Sequence, residues 1–301
     1  MITVSVASGK GGAGKTSIAA ALSEELGADC VVADCDVDAP NLAIALGASA
    51  REREPYLAGP GFSIDGAACT GCGLCAEACR FEALRPEDAR YAIIQELCER
   101  CGACLDRCPA GAIATAERRA GELFVSDTRL GVALVHAELA PGEDTSGKLV
   151  AKVRERAKRQ AGEGATMVVD SPPGIGCPVI ASMTGSDLVV VVVEASASGI
   201  RDAGRLVELV ASMRRRAIGI LNKTGLDAGM DGRARALLAE AGIPLAGAIP
   251  FDPSLRSAEE SGRTWSSLDG NGGAAAAAAL RAVRGALDGI SRRRGSSRPE
   301  S

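Results

Sequence analysis

The sequence predicts an α/β protein with a doubly wound, mostly parallel sheet and a small α+β insert. Short continuous apolar runs recur along the chain and alternate with segments of helical composition. That alternation is typical of parallel strands buried on both faces. A glycine-rich loop follows the first apolar run, and residues 61–116 hold eight of the eleven cysteines.

The apolar runs predict the strands of the sheet in chain order. They cover residues 2–7, 30–33, 123–126, 132–136, 167–170, 188–193, 217–222 and 245–249. Helices are predicted from the glycine-rich loop to about residue 26, over the charged segment 146–160, and from the alanine run 274–279 onward.

The cysteine-rich segment interrupts this single alternating pattern. We therefore interpret residues 1–60 and 117–290 as one discontinuous domain and residues 61–116 as a domain inserted into it. The polar residues 291–301, rich in arginine and serine, predict a disordered tail.

Composition limits the class of protein. The net charge of −4 argues against nucleic acid as the main partner, since such proteins usually carry a basic face. No apolar run reaches the roughly 18 residues of a membrane span, and the first residues lack the features of a secretory leader. We expect a cytoplasmic protein without a transmembrane segment, whose cysteines bind metal as thiolates in a reducing compartment.

The glycine-rich loop matches the pattern G-x-x-x-x-G-K-[ST] and lies between a predicted strand and a predicted helix. In such loops backbone N–H groups surround the phosphates, the lysine reaches the terminal phosphates and the hydroxyl binds Mg²⁺. The following helix directs its N-terminus at the same anion. The predicted ATP and Mg²⁺ site comprises Gly9, Lys10, Gly11, Gly12, Ala13, Gly14, Lys15, Thr16 and Ser17.

A second lysine, Lys10, stands directly after Gly9. The run Lys-Gly-Gly-Ala-Gly-Lys-Thr resembles the deviant Walker A loop of the MinD/ParA/Mrp ATPases. The resemblance implies that ATP promotes a homodimer and that Lys10 reaches the partner's phosphates. The alternative is an exposed lysine that only adds positive potential.

The same resemblance assigns roles to further residues. Asp34 and Asp36 match the family's first switch segment, where Asp36 would orient the attacking water and Asp34 would support the Mg²⁺ shell. Asp170 matches the Walker B aspartate, which holds a water on Mg²⁺. Asn222 would hydrogen-bond the adenine and Pro250 would line the same pocket, although each also fits an ordinary strand-to-helix turn. The catalytic set implied is Lys10, Lys15, Asp36 and Asp170.

The cysteines form two copies of C-x₂-C-x₂-C-x₃-C, and each cysteine of the second copy lies 29 positions after its counterpart. In bacterial ferredoxins the fourth cysteine of such a run ligates the other cluster. One [4Fe–4S] cluster would take Cys69, Cys72, Cys75 and Cys108, and the other Cys98, Cys101, Cys104 and Cys79. Structural zinc is the alternative, but its sites usually pair two C-x₂-C units at longer range. The segment resembles a two-[4Fe–4S] ferredoxin domain, with Arg80 where that family usually has proline after the fourth cysteine.

Three cysteines remain outside the runs. Cys30 and Cys35 are predicted to pack, and Cys177 either packs or meets its partner or a transient cluster across a dimer. The only histidine, His136, is predicted to be a packed side chain on an apolar strand.

Together these features predict a P-loop ATPase that couples nucleotide-driven dimerisation to electron transfer through two clusters. Its partner would be an unidentified redox or iron–sulfur client protein. The alternatives are an iron–sulfur carrier of the Mrp type and a nucleotide-switched binding module with structural clusters.

Overall fold

The computed structural model of the chain describes residues 1–141, 143 and 146–296. The chain divides into two units. The sheet unit comprises Met1–Glu54, Leu123–Leu139 and the described part of Asp144–Ser301. The cysteine unit comprises Pro55–Glu122 and the described part of Ala140–Glu143. No helix in the described ranges is both long and apolar enough to cross a membrane.

The strands and helices follow in chain order. The strands are β1 (Ile2–Ala7), β2 (Cys30–Asp34), β3 (Ser49–Leu57), β4 (Gly61–Ile64), β5 (Leu84–Glu87), β6 (Arg90–Ile93), β7 (Ile113–Ala116), β8 (Arg119–Asp127), β9 (Ala133–Leu139), β10 (Thr166–Asp170), β11 (Leu188–Glu194), β12 (Ala217–Thr224) and β13 (Leu245–Pro250). The α-helices are α1 (Lys15–Leu26), α2 (Leu42–Ala45), α3 (Leu74–Glu77), α4 (Ala103–Arg107), α5 (Gly147–Gln160), α6 (Cys177–Met183), α7 (Ala197–Ser212), α8 (Ala228–Glu240), α9 (Pro253–Glu260) and α10 (Asn271–Ser296).

The main sheet of the described chain runs in the order β13-β12-β11-β1-β10-β2-β9-β8-β3. Strands β13 through β9 in that order are all paired in parallel. The predicted fold class is therefore confirmed. Because the central strands are parallel, their carboxyl ends meet at one edge, where open α/β sheets bind ligands. Strand β1 lies between β11 and β10, so the loop after it begins in the middle of that edge.

The apolar runs form central strands because both faces are covered. Every residue of β1 and β2 is buried, and so are the first six residues of β11. Helix α1 begins after Gly14, whose φ of 97° is left-handed, and it ends at Gly27. Helix α5 begins after Ser146, whose hydroxyl accepts a hydrogen bond of 3.2 Å from the Leu149 N–H.

The last helix extends further than the sequence predicted. Helix α10 continues through residues 291–296, which were expected to belong to a disordered tail. Ile290 is buried, and the Arg294 guanidinium binds the Asp187 carboxylate and the Met1 carbonyl oxygen. These contacts hold the last turns on the sheet unit. The rest of the expected tail, residues 297–301, lies outside the described residues.

The cysteine unit is built from two copies of one motif. Strand, short helix and strand follow each other as β4-α3-β5 in the first copy and β6-α4-β7 in the second. Each second-copy element begins 29 residues after its counterpart. Strand β4 pairs antiparallel with β7, and β5 pairs antiparallel with β6, so each copy pairs its strands with the other.

These paired strands span residues 61–116, the limits expected for the insert. The structural unit is wider than that. The Ala58 N–H donates a hydrogen bond of 3.2 Å to the Arg118 carbonyl oxygen, which pairs the segments on either side of the repeats. The described residues of the segment Ala140–Glu143 also belong to it, which the sequence gave no reason to expect.

Candidate functional site

The glycine-rich loop connects β1 to α1 at the carboxyl edge of the sheet. Gly14 needs to be glycine for two reasons. Its φ of 97° is unfavourable for other residues, and a Cβ there would overlap the Asn222 Nδ2 atom. The Asn222 amide donates a hydrogen bond of 2.8 Å to the Ala13 carbonyl oxygen. Asn222 therefore supports the loop from the end of β12, a contact that the sequence did not predict.

Four predicted residues converge beside this loop. Lys15 is 4% exposed, and its Nζ lies 3.9 Å from Asp36 Oδ2. The Thr16 hydroxyl donates a hydrogen bond of 2.7 Å to Asp170 Oδ2. The structure thus brings the loop, the end of β10 and the segment after β2 together at one edge, as the sequence predicted.

Asp170 is a buried acid with unsatisfied bonding capacity. Its second oxygen, Oδ1, has no hydrogen-bond partner among the described residues. Burial raises the pKa of Asp170 to about 7, although the Lys15 ammonium and the Thr16 hydroxyl oppose that shift. A buried carboxylate beside a hydroxyl suits a hard divalent cation, which favours the ionised form. Asp170 and Thr16 therefore fit the predicted Mg²⁺ site.

Asp34 lies deeper than Asp36. Its carboxylate accepts hydrogen bonds from the Asp36 N–H at 3.1 Å and the Leu42 N–H at 3.2 Å. Burial and the nearby Asp170 raise the pKa of Asp34 well above its usual value. A cavity opens beside the glycine-rich loop, and Asp36 is among the described residues that line it, whereas Asp34 is not. In this arrangement Asp34 fixes the segment that carries Asp36.

Lys10 takes part in a cluster of three charged side chains. Its Nζ donates a hydrogen bond of 2.7 Å to Glu194 Oε1 and one of 3.1 Å to the Ser198 hydroxyl. Lys223 Nζ lies 3.0 Å from the other Glu194 oxygen and 2.8 Å from the Gly12 carbonyl oxygen. Burial opposes ionisation of Glu194, but hydrogen bonds from Lys10, Lys223 and Ser196 lower its pKa overall.

A cavity of about 860 Å³ opens beside the loop, and most of the residues predicted to bind the phosphates and the base line it. These are Gly11, Gly12, Gly14, Lys15, Thr16, Ser17, Asp36, Asn222 and Pro250. Gly9, Lys10, Ala13 and Asp170 are not among its described lining residues. Its wall also includes Phe251, which follows the predicted Pro250 in the same segment, and Trp265. The sequence did not predict Trp265, because nothing in the sequence links it to the loop. Trp265 reaches the cavity because the turn Trp265–Ser267 packs against α1 and α10.

The eight run cysteines gather in two sets of four within the cysteine unit. Each set lines its own small cavity. The first set is Cys69, Cys72, Cys75 and Cys108. The second set is Cys79, Cys98, Cys101 and Cys104. These are the sets that the sequence predicted, with the fourth cysteine of each run lying among the first three of the other run.

The thiols of both sets are available as ligands. All eleven cysteines are free. Within the described ranges, no group of three or more histidine, cysteine or acidic side chains is arranged to hold a metal ion. Four thiolates are the ligand set of a [4Fe–4S] cluster, so the donor chemistry of each set of cysteines fits that group.

Backbone donors and neighbouring thiols mark both sets. The Ala112 N–H donates a hydrogen bond of 3.3 Å to Cys108 Sγ, and N–H groups of Gly71 and Tyr91 lower the pKa of Cys69. Burial, and the nearby Cys108 and Cys69, raise the pKa of Cys75. Such N–H···S bonds are characteristic of cluster ligands.

The remaining cysteines and the histidine lie elsewhere. Cys30 and Cys35 are buried, as predicted, and burial raises the pKa of both thiols. Cys177 is exposed as the first residue of α6, so it does not pack in the core of the described chain. His136 is buried, stacks on Phe124 with ring centroids 4.9 Å apart, and lies 3.1 Å from the Ser126 hydroxyl. It is a packed side chain, as predicted.

Comparison with known proteins agrees with this geometry. Residues 4–265 match the family model described as the CobQ/CobB/MinD/ParA nucleotide binding domain. An uncharacterized protein of Methanocaldococcus jannaschii is 32% identical over 229 residues, which cover 75% of this chain and 80% of that protein.

Solved structures share the fold. A MinD cell division protein of Aquifex aeolicus is 20% identical, with a TM-score of 0.56, over 95% of this chain and 97% of that chain. The septum site-determining protein MinD of Pyrococcus horikoshii, solved with Mg-ADP, is 18% identical with a TM-score of 0.57, over 96% and 98% of the two chains. At these identities the likeness concerns the fold.

Proposed function

Because the chain belongs to the CobQ/CobB/MinD/ParA nucleotide-binding family, a family of P-loop ATPases, we propose that it couples ATP-driven dimerisation to electron transfer through two [4Fe–4S] clusters. The observation that carries the proposal is the division of eight cysteines into two sets of four, in a chain that also has a complete phosphate loop. Neither the cysteine sets nor the phosphate loop alone implies that nucleotide binding affects electron transfer. The presence of both in one polypeptide supports that coupling.

The nucleotide half of the proposal rests on the loop edge of the sheet. Lys15 and the loop N–H groups would bind the phosphates, and Thr16 and Asp170 would hold Mg²⁺. Asp36, within 3.9 Å of Lys15 and lining the cavity, would orient the attacking water. Asn222, Pro250, Phe251 and Trp265 would surround the base. Bound Mg²⁺ would supply charge neutralisation on the phosphates.

Lys10 provides the link to dimerisation. In this monomer Glu194 and Ser198 bind its ammonium. We propose that a phosphate of a nucleotide in the partner subunit competes with Glu194 for Lys10, so that closure of the dimer requires nucleotide. The MinD of P. horikoshii, which has the same fold, was solved with Mg-ADP, which supports a Mg-nucleotide as the ligand here.

The cluster half rests on the cysteine unit. Cys69, Cys72, Cys75 and Cys108 would ligate one cluster, and Cys98, Cys101, Cys104 and Cys79 the other. The clusters would supply one-electron chemistry, while the protein sets ligand geometry, N–H···S bonding and solvent access. A redox or iron–sulfur client would receive the electrons.

Anaerobic purification with iron, sulfide and EPR analysis tests the proposal. We expect about eight irons per chain and EPR signals of reduced cubane clusters on treatment with dithionite. Reduction potentials measured without nucleotide, with ADP and with ATP should differ, and Lys15→Ala should abolish the difference while keeping the iron. Fewer than about eight irons would refute the two-cluster assignment. Identical potentials in all nucleotide states would refute coupling.

The alternatives give different results in the same preparation. Transfer of iron and sulfide to an apo-ferredoxin on ATP hydrolysis would favour an iron–sulfur carrier. Clusters that cannot be reduced, together with ATP-dependent partner binding, would favour a nucleotide-switched module. Both outcomes would replace electron transfer as the function.

A further inference from the structure

The two copies of the cysteine motif differ in charge at one pair of corresponding positions. In the first run Gly71 directly precedes Cys72, and it packs against the backbone of Ala89. The residues 29 positions later are Arg100 and Arg118. The backbone is left-handed at both Gly71, with φ 69°, and Arg100, with φ 58°. The repeat thus preserves the backbone but replaces a pair of small residues with two arginines.

The left-handed conformation is unusual for arginine. At Gly71 a Cβ would overlap the Ala89 carbonyl oxygen, so the first copy has no room for a side chain. In the second copy Arg100 is one of the residues that line the cavity of Cys79, Cys98, Cys101 and Cys104. An arginine held in this conformation needs compensating contacts.

Those contacts come from a carboxylate shared by both arginines. Arg100 Nη2 lies 2.8 Å from Glu143 Oε1, and Arg118 Nη1 binds the same oxygen. The Glu143 side chain is 12% exposed and the Arg118 side chain 16%. Burial, and the neighbouring Arg100, lower the pKa of Arg118. Two cations share one anion, so the group carries a net charge of +1.

Donor capacity is left over in this group. The Nε atoms of Arg100 and Arg118 are buried and have no hydrogen-bond partner among the described residues. Arg100, which lines the cavity of the second set of cysteines, therefore carries both a positive charge and an unused N–H group. Positive charge and N–H donors near cluster sulfurs stabilise the reduced cluster.

The first set of cysteines has a weaker counterpart. Arg90 faces Cys69 and lowers the pKa of that thiol, but the Arg90 side chain is exposed. Glu99, which also lines the cavity of the second set, is exposed as well. Exposed charges are screened by water and salt more strongly than partly buried ones. The partly buried group of Arg100, Glu143 and Arg118 is therefore expected to dominate the difference between the two sites.

We propose that Arg100, positioned by Glu143, makes the two clusters inequivalent and gives the cluster on Cys79, Cys98, Cys101 and Cys104 the higher reduction potential. This inference rests on the proposed function, since it requires both clusters. An electron supplied by an external reductant would then reside first on that cluster. Arg100 acts on the cluster through its positive charge and does not ligate it.

An EPR-monitored titration with dithionite under anaerobic conditions tests the proposal through two variants. Arg100→Gly restores the residue of the first copy, which suits the left-handed backbone. It should lower the higher of the two potentials, leave the other unchanged and keep about eight irons. Glu143→Gln removes the anion and should move the same potential upward. A general loss of structure would not shift the two variants in opposite directions.

Arg85→Gln is the matched control. It also removes one cation from the cysteine unit, but Arg85 is an exposed residue of β5 outside both cysteine cavities, so both potentials should stay in place. Potentials unaffected by Arg100→Gly, or shifted in the same direction by both variants, would overturn this inference alone. A wild-type protein that lacks two reducible clusters would overturn the proposed function and this inference with it.

Discussion

Thr16 donates a hydrogen bond of 2.7 Å to Asp170, which joins the phosphate loop to the end of β10 across 154 positions of sequence. The bond uses one oxygen of a buried carboxylate and leaves the other without a partner among the described residues. The two side chains thus lie side by side, with one carboxylate oxygen of Asp170 left to bind a cation. This relationship governs the first prediction.

The first prediction concerns pH and Asp170. The pKa of Asp170 is about 7 in the folded protein, against an ordinary value of 3.8. Between these values the unfolded chain binds fewer protons, so stability without nucleotide or Mg²⁺ should fall as pH rises from about 4 to 7. Asp34 and Asp36, whose pKa values are also raised, add to the same trend.

Asp170→Asn should flatten that dependence. At pH 8 and without Mg²⁺ the variant should be more stable than wild type, by at most about 4 kcal/mol, because each pKa unit corresponds to about 1.4 kcal/mol. It should also lose Mg²⁺-dependent ATP hydrolysis. Urea unfolding between pH 5 and 8 measures the first effect, and equal slopes for the two proteins would contradict it.

The second prediction concerns Gly14. Gly14→Ala should destabilise the protein by at least about 1–2 kcal/mol, since the left-handed conformation is costly for alanine and the new methyl group overlaps the Asn222 amide. It should also break the contact of Asn222 with the loop. Gly11→Ala is the control, because a Cβ there meets nothing within 4 Å. Thermal or urea unfolding compares them, and equal stability of the two variants would speak against this geometry.

The third prediction separates the two loop lysines. Lys15 lines the cavity, whereas Lys10 is held by Glu194. Lys15→Ala should weaken ATP binding at least roughly tenfold, since hydrogen bonds to charged groups contribute about 1.5–3 kcal/mol. Lys10→Ala should retain binding but lose ATP-dependent dimerisation. Calorimetry and light scattering distinguish these effects, and a Lys10→Ala protein that still dimerises would remove the proposed role in trans.

The fourth prediction concerns the exchange of the fourth cysteine between runs. Cys79 is the last cysteine of the first run, but it lies with the cysteines of the second set. Cys79→Ser should therefore perturb the cluster on the second run, and Cys108→Ser the cluster on the first, with iron content falling toward about four per chain. Cys177→Ser should leave iron unchanged, because Cys177 belongs to neither set. If Cys79→Ser and Cys108→Ser perturb the same EPR signal, the assignment is wrong.

The sequence predicted the central strands well because buried parallel strands have continuous apolar runs, as in β1 and β11. It also predicted which side chains meet at the loop edge, because the carboxyl ends of parallel strands share that edge. It did not predict the extent of α10, since Arg294 is held by Asp187, a residue distant in sequence. The sequence also did not predict the contacts of Asn222, Glu194 and Trp265 beside the loop, because these residues are distant from the loop in sequence.

What the sequence determined by itself was local or periodic: the phosphate loop, the apolar strand runs and the two cysteine runs with their spacing of 29 positions. What only the tertiary structure decided was which charges meet. Glu194 bridges Lys10 and Lys223, and Glu143 bridges Arg100 and Arg118. Spacing along the chain fixes the ligands of a local motif. Pairing of charges depends on distances that arise only when remote segments fold together.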